Sequence, residues 1–446
     1  MNFIKRIFSP SCLTVSILLL LYTYYKSKIF WNGLNNEYYL VYYIFFFLFF
    51  VFSIISFFIN QKIKEYLIIS FISGILVIFL FEGYLIFKTK TITKENITSI
   101  AKENITKIKL YEKKTAKKYD TRTMLQIYED LKKTDRNYTL LLHPHLNPVV
   151  NKYKIFPLSG VSNSKTIFCN ENGYYSIYES DKYGFNNPNI EWDNQDLEYL
   201  LVGDSFAHGA CVNRPNDIAS VLRTLSKKNV INLGFSSNGP LMEYATLREY
   251  LVPNVKKVLW IYYPNDLNDL QYEISNSVLI KYLNDLNFTQ KLKFKQNQID
   301  DLINDTIKDK LKFKSDAQEG RFDNNKFISF IKITKLRKLI FSLIIKKSNF
   351  EKILELTKDL TLSNNSKLYF VYLPEFNHNK EKFSRNDYTL IKKIVNKLDI
   401  TFIDIYREVF EKEENPLVFF PFGLNGHYNV EGYKKIAETI YKSTER

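Results

Sequence analysis

The chain has 446 residues, of which 46% are hydrophobic and 16% aromatic, with a formal net charge of +15 and three cysteines. That length exceeds one average domain. The basic excess is accompanied by no nucleic-acid recognition motif, so nucleic acid is not read as a partner, and the single His-x-His pair (His143, His145) has no Asp, Glu or Cys close by to complete a metal site.

Three nearly uncharged runs open the chain: Ile7–Tyr25 behind Lys5 and Arg6, Tyr38–Asn60 with no charge, and Tyr66–Phe81, which continues through Glu82 to Phe87. Each is about the 20 residues that cross a hydrocarbon core of roughly 30 Å, and Tyr residues and Trp31 stand near their ends, where interfacial anchors belong. The expectation is three transmembrane helices over 1–90 and a lipid bilayer as partner. With the N-terminus inside, the residues after 90 fall on the periplasmic or extracytoplasmic side of a bacterial inner membrane.

Residues 91–149 read as a polar helical stalk. The near-copies beginning at Lys94 and Lys102 place Ile97, Ile100, Ile105 and Ile108 at spacings of three to five, the pattern of an amphipathic helix. From 150 onward, short apolar strands alternate with helices: Leu200–Val202, Val230–Leu233, Lys257–Tyr262, Leu368–Tyr372 and Thr401–Ile405, with helices near 215–227 and 240–251. This rhythm predicts an α/β domain over 150–446, a three-layer α/β/α fold around a mostly parallel five-stranded sheet. The stretch 270–350 interrupts it as a helical insertion; over 281–349 it carries 16 Lys and Arg against 8 Asp and Glu.

In open α/β sheets ligands collect at the carboxyl ends of the strands, and chemistry-bearing residues stand there. Gly203-Asp204-Ser205 follows the first strand, where a serine hydroxyl can project over a helix N-terminus that favours negative charge. The second strand leads into Gly234 and Ser237-Asn238-Gly239, a turn able to expose amides, and the third into Asn265-Asp266, whose amide side chain can donate to an oxyanion. Near the C-terminus, Asn425-Gly426-His427 offers a general base. His208, three residues after Ser205, is read as lining the pocket, and His378 as surface-exposed. Cys169 and Cys211 are the only thiols outside the first span; an oxidising compartment permits a bridge between them.

These blocks, in this order over about 195–445, resemble the SGNH (GDSL-like) hydrolase superfamily, and Asp181–Pro188 resembles the leader before its first strand. The resemblance implies a flavodoxin-like fold, Ser205 as nucleophile and His427 as base. The oxyanion hole would be drawn from the amides of Ser205 and of Ser237 or Gly239 with the Asn265 side chain, and Asp204, His208, Asn238, Asp266 and Asn425 would surround the pocket. No cofactor or metal is implied. Three positions depart from the family's pattern: Ser237 stands where a glycine is usual, Tyr263-Pro264 replaces Gly-x, and Leu424 occupies the place of the acid three residues before the histidine. The expected function is ester hydrolysis or acyl transfer on an acylated glycan or lipid; a non-catalytic, glycan-binding scaffold is the alternative that the missing acid leaves open.

Overall fold

The apolar runs and the alternating strands take separate places in the computed structural model, which describes residues 2–31, 33, 36–147, 151–193, 196–316, 329–337, 339, 346–376 and 385–445. His378 lies outside the described residues. The chain divides into two units, one of residues 1–95 and 321–343, the other of residues 96–320 and 344–446.

In the first unit, α1 (Asn2–Tyr24) and α2 (Asn36–Ile55) pack on each other, and α3 (Gln61–Thr115) runs unbroken for 55 residues. Three segments, Arg6–Phe30, Tyr39–Phe58 and Gln61–Thr91, are long and apolar enough to cross a membrane. The carboxylate of Glu82 within the third is buried and accepts hydrogen bonds from the amides of Lys335 and Leu336, 2.8 and 2.7 Å away. Part of the insertion therefore belongs to this unit.

The second unit corrects the stalk expectation: residues 96–149 are part of the globular body. The end of α3 is followed by α4 (Met124–Thr134), which starts on a capping box between Thr123 and Gln126, and by β1 (Tyr138–Leu140). Strand β1 pairs in parallel with β2 (Lys165–Ile167), which pairs antiparallel with β3 (Ile177–Glu179). The sequence reading missed this small sheet because strands of three residues carry almost no periodicity.

The main sheet contains β4 (Leu197–Gly203), β5 (Asn229–Asn232), β6 (Lys257–Tyr262), β7 (Lys367–Tyr372) and β8 (Thr401–Asp404) in the order β5-β4-β6-β7-β8, every neighbouring pair parallel. All of β4 is buried, as expected for a strand covered on both faces. The chain passes from β4 outward to β5 and returns across to β6, so the crevice at the carboxyl ends of β4, β5 and β6 is the topological switch point. Helices α5 (Ser205–His208), α6 (Ile218–Ser226), α7 (Pro240–Tyr250) and α8 (Asp266–Ile274) follow these strands. The insertion adds α9 (Leu279–Asn284) and α10 (Gln296–Asp316); α11 (Lys346–Ser363) and α12 (Arg385–Lys397) flank β7, and α13 (Val430–Thr444) closes the chain against α6.

Two glycines permit the close approach at the switch point. Gly203 has φ +155°, and a Cβ there would lie 2.6 Å from the Ala207 Cβ; a Cβ on Gly234 would lie 2.6 Å from the Ala207 Cβ and from the His208 nitrogen. The turns after β4 and β5 thus touch through bare backbone.

Candidate active site

The Asp204 carboxylate caps α5, accepting from the Phe206 amide at 2.8 Å, and so places Ser205 on the first turn of that helix. At the other end of the domain, the Asn429 side chain caps α13 by accepting from the Gly432 amide, and His427 lies two residues before that cap. The two meet. His427 Nε2 is 2.9 Å from Ser205 Oγ, and the pair opens to solvent on one side, with Ser205 9% exposed and the His427 side chain 24%.

The other face of the imidazole meets a carboxylate absent from the sequence reading. Glu171 Oε1 stands 3.0 Å from His427 Nδ1, and Glu171 Oε2 accepts from the His427 backbone amide at 2.6 Å. Glu171 sits in the loop between β2 and β3, outside the main sheet. The Cys169–Cys211 disulfide ties that loop to the segment following α5, and the Asn172 side chain donates to the Cys211 carbonyl. Glu171 thus brings a carboxylate to His427 from a distant part of the chain.

The charges reinforce one another. Burial pushes the Glu171 carboxyl up, but the His427 ring, its N–H groups and the Lys107 ammonium outweigh it and hold the group below its ordinary value. Burial pushes His427 down, but the Glu171 carboxylate and then Asp204 outweigh it and raise the imidazole above 6.5, with Lys107 opposing. Asp204 is driven up by burial to about 6. Cys211 Sγ lies close enough to Glu171 and His427 to form a metal-like trio, but the disulfide consumes its thiolate and the other two bind each other, so the trio is not a ligand set.

The strand-end amides divide. Among the described residues, the Ser205 and Ser237 amides donate to no protein acceptor, and Ser237 holds a left-handed φ of +65°. Gly239 is a correction: its amide donates to Glu273 Oε1 at 2.7 Å, part of a carboxylate cap that also receives the Leu241 and Met242 amides. The Asn265 side chain makes a long 3.5 Å contact with Asp269 and also hydrogen-bonds the Asp204 carboxylate, and Asp266 accepts from the Tyr263 amide to shape the turn presenting Asn265. Tyr263, in place of the usual glycine, stacks on Phe206 with ring centroids 3.8 Å apart, and Phe206 in turn lies against the His427 ring at 4.7 Å. The departure therefore supplies an aromatic wall behind the His427 ring.

Other expected pocket residues fall elsewhere. His208 is fully buried among the rings of Phe168, Tyr178 and Phe235. Burial drives its pKa down to about 3, so it is a neutral core residue and not pocket lining. Asn238 and Asp266 are buried beneath the loops, and Asn425 is exposed while its backbone is gripped from α3. His143, not assigned to the site from sequence, lies 3.0 Å from Ser237 Oγ through Nδ1 and stacks on His145.

Ser205, His427 and Glu171 thus form a continuous Ser–His–acid chain beside the five-stranded parallel sheet. No protein-family model matches the sequence, and no curated protein matches it. Among solved structures, the chain is similar to a protein described as lipolytic and of the G-D-S-L family from Desulfitobacterium hafniense, at 13% identity and a TM-score of 0.32 over 55% of this chain and 99% of that one. It is similar also to the acetyl xylan esterase AlAXEase (12%, TM-score 0.30, 55% and 99%). A third is the acetylxylan esterase Axe2 from Geobacillus stearothermophilus (12%, TM-score 0.31, 55% and 93%). Likenesses this slight carry no argument about activity or substrate.

Proposed function

We propose that the protein is a membrane-anchored serine esterase or acyl-transfer enzyme, with Ser205 as nucleophile, His427 as general base and Glu171 as the acid that orients it. The observation that carries this reading is the continuous chain from Ser205 Oγ through both ring nitrogens of His427 to Glu171, at 2.9 and 3.0 Å. His427 Nε2 takes the serine proton as Oγ attacks the ester carbonyl; the oxyanion is met by the Ser205 and Ser237 amides and the Asn265 side chain. The imidazolium then returns its proton to the leaving alkoxide, and water or a second hydroxyl, deprotonated by the same imidazole, releases the acyl group. The non-catalytic scaffold loses its ground once Glu171 supplies the acid.

We place the substrate among acylated glycans or lipids held at a membrane surface, a reading supported by three segments long and apolar enough to cross a membrane. The disulfide supports an extracytoplasmic location, where oxidised cysteines persist.

The full chain in detergent micelles tests the reading with p-nitrophenyl acetate. It should release an initial burst of p-nitrophenol equal to the enzyme concentration, followed by slower turnover, the signature of an acyl-enzyme. Folded, monodisperse protein that releases none above buffer would refute it. Two further results are expected. Asn265→Ala should lower kcat by about 10²–10³-fold with a small change in KM, as loss of one oxyanion donor does. The acid limb of kcat/KM should lie above pH 6.5, because Glu171 raises His427 and the base works only when neutral; a limb below 6.5 would contradict this electrostatic account.

A further inference from the structure

The polar helix emerging from the third apolar segment carries many lysines, and those at 102, 109, 113 and 114 are exposed. Lys107 is different: it is 7% exposed. A buried ammonium is costly unless it is paired and hydrogen-bonded. Its Nζ donates to the Asn425 carbonyl at 2.5 Å, and one turn earlier Glu103 Oε1 accepts from the Asn425 amide at 2.6 Å. The spacing of four puts both side chains on one face of α3, and together they hold the two backbone groups of a single residue. Asn425 is two positions before His427.

Gly426 between them is hemmed in by the same charges. A Cβ there would lie 2.5 Å from Glu171 Oε2 and 3.5 Å from Lys107 Nζ. Residues 425–427 are therefore fixed in succession by Glu103, Lys107 and Glu171, the last accepting from both the backbone and the ring of His427. The Lys107 ammonium also acts electrostatically on both Glu171 and His427.

We propose that Glu103 and Lys107 are positioning residues for His427, so that the helix continuing from the third apolar segment is a working part of the active site. The inference rests on the Ser205–His427–Glu171 reading. Lys107 steadies the loop and its positive charge opposes protonation of the imidazole; without it the carboxylates of Glu171 and Asp204 act on His427 unopposed. A fragment beginning at residue 150 lacks both clamps and should have a displaced base.

The test uses full-length protein in detergent, with kcat, KM and the pH profile for p-nitrophenyl acetate. The charged groups facing His427 are Glu171 from the β2–β3 loop, Asp204 at the cap of α5 and Lys107 from α3, with the titratable but neutral His208 more remote; Glu103 acts through Asn425. Lys107→Met should lower kcat about tenfold or more with little change in KM, and move the acid limb of kcat/KM upward by about one pH unit. Lys107→Arg should restore the limb, and Lys109→Met, an exposed control on the same helix, should leave both unchanged. Glu103→Gln, nearly isosteric, should lower kcat severalfold and decides the matter if Lys107→Met does not fold. Wild-type kcat and acid limb in Lys107→Met, equal shifts in Lys107→Met and Lys109→Met, or wild-type kcat in Glu103→Gln would overturn the inference. An inactive wild-type chain would instead overturn the esterase reading on which it stands.

Discussion

Glu171→Gln is expected to lower kcat by about 10⁴-fold while the protein stays folded, the loss seen when a triad carboxylate becomes an amide. The carboxylate accepts twice from His427, from the ring at Nδ1 and from the backbone amide. A glutamine has one oxygen and one NH₂, so it cannot accept at both places. Either the ring flips to a tautomer whose Nε2 carries a proton and cannot take one from Ser205, or the loop loses its backbone anchor. Glu171→Asp keeps the charge but shortens the reach, and its activity should fall between the two. Stability should respond as well. Glu171 is held below its ordinary 4.5, so its contribution is present above that value and is lost as pH falls through its folded pKa. Acid unfolding followed by circular dichroism should therefore show a smaller loss of stability below pH 4.5 in Glu171→Gln than in the wild type.

Ser205→Ala should have the largest effect, about 10⁶-fold in kcat, the scale for removal of a triad nucleophile. Ser205 is 9% exposed and its hydroxyl contacts only His427 and, at a long 3.4 Å, Asp204 among the described residues. Its loss leaves a small gap and no newly stranded buried charge, since Asp204 keeps its bond to the Phe206 amide. Thermal unfolding should therefore move little while turnover vanishes. Retained turnover in Ser205→Ala would place the nucleophile elsewhere.

The main sheet was legible because buried parallel strands read as short apolar runs separated by helical periodicity: Leu200–Val202 falls within β4, and Lys257–Tyr262 coincides with β6. Ser205 and His427, which stand 2.9 Å apart, lie where the strand-end rule says to look. Glu171 was not legible: 256 residues separate it from His427, and it stands on a small sheet whose strands are three residues long. The available signal was Cys169, two positions away, since a bridge to Cys211 draws that loop to the turn after Ser205. The stalk reading failed for a related reason. A Lys-rich helix looks solvated from sequence, and nothing local distinguishes the buried Lys107 from its exposed neighbours. Gly239 illustrates the opposite error, in which a glycine amide suited to an oxyanion is occupied by the Glu273 carboxylate capping α7.

The disulfide holds the loop bearing Glu171 in register with the segment after α5. Cys169 and Cys211 join the segment bearing Glu171 to the segment just after α5, so Glu171 and Ser205 hang from the two arms of one covalent link. That placement accounts for a carboxylate from outside the main sheet meeting the His427 ring.

The most direct measurement is to treat the full chain with a fluorophosphonate, which reacts with activated serine hydroxyls, and to locate the adduct by tandem mass spectrometry. One phosphonyl group on the peptide containing Ser205, with labelling strongly reduced by Glu171→Gln, is the predicted result. An adduct on a different residue, or labelling of Ser205 at the same rate when Glu171 is replaced, would contradict the assigned relay.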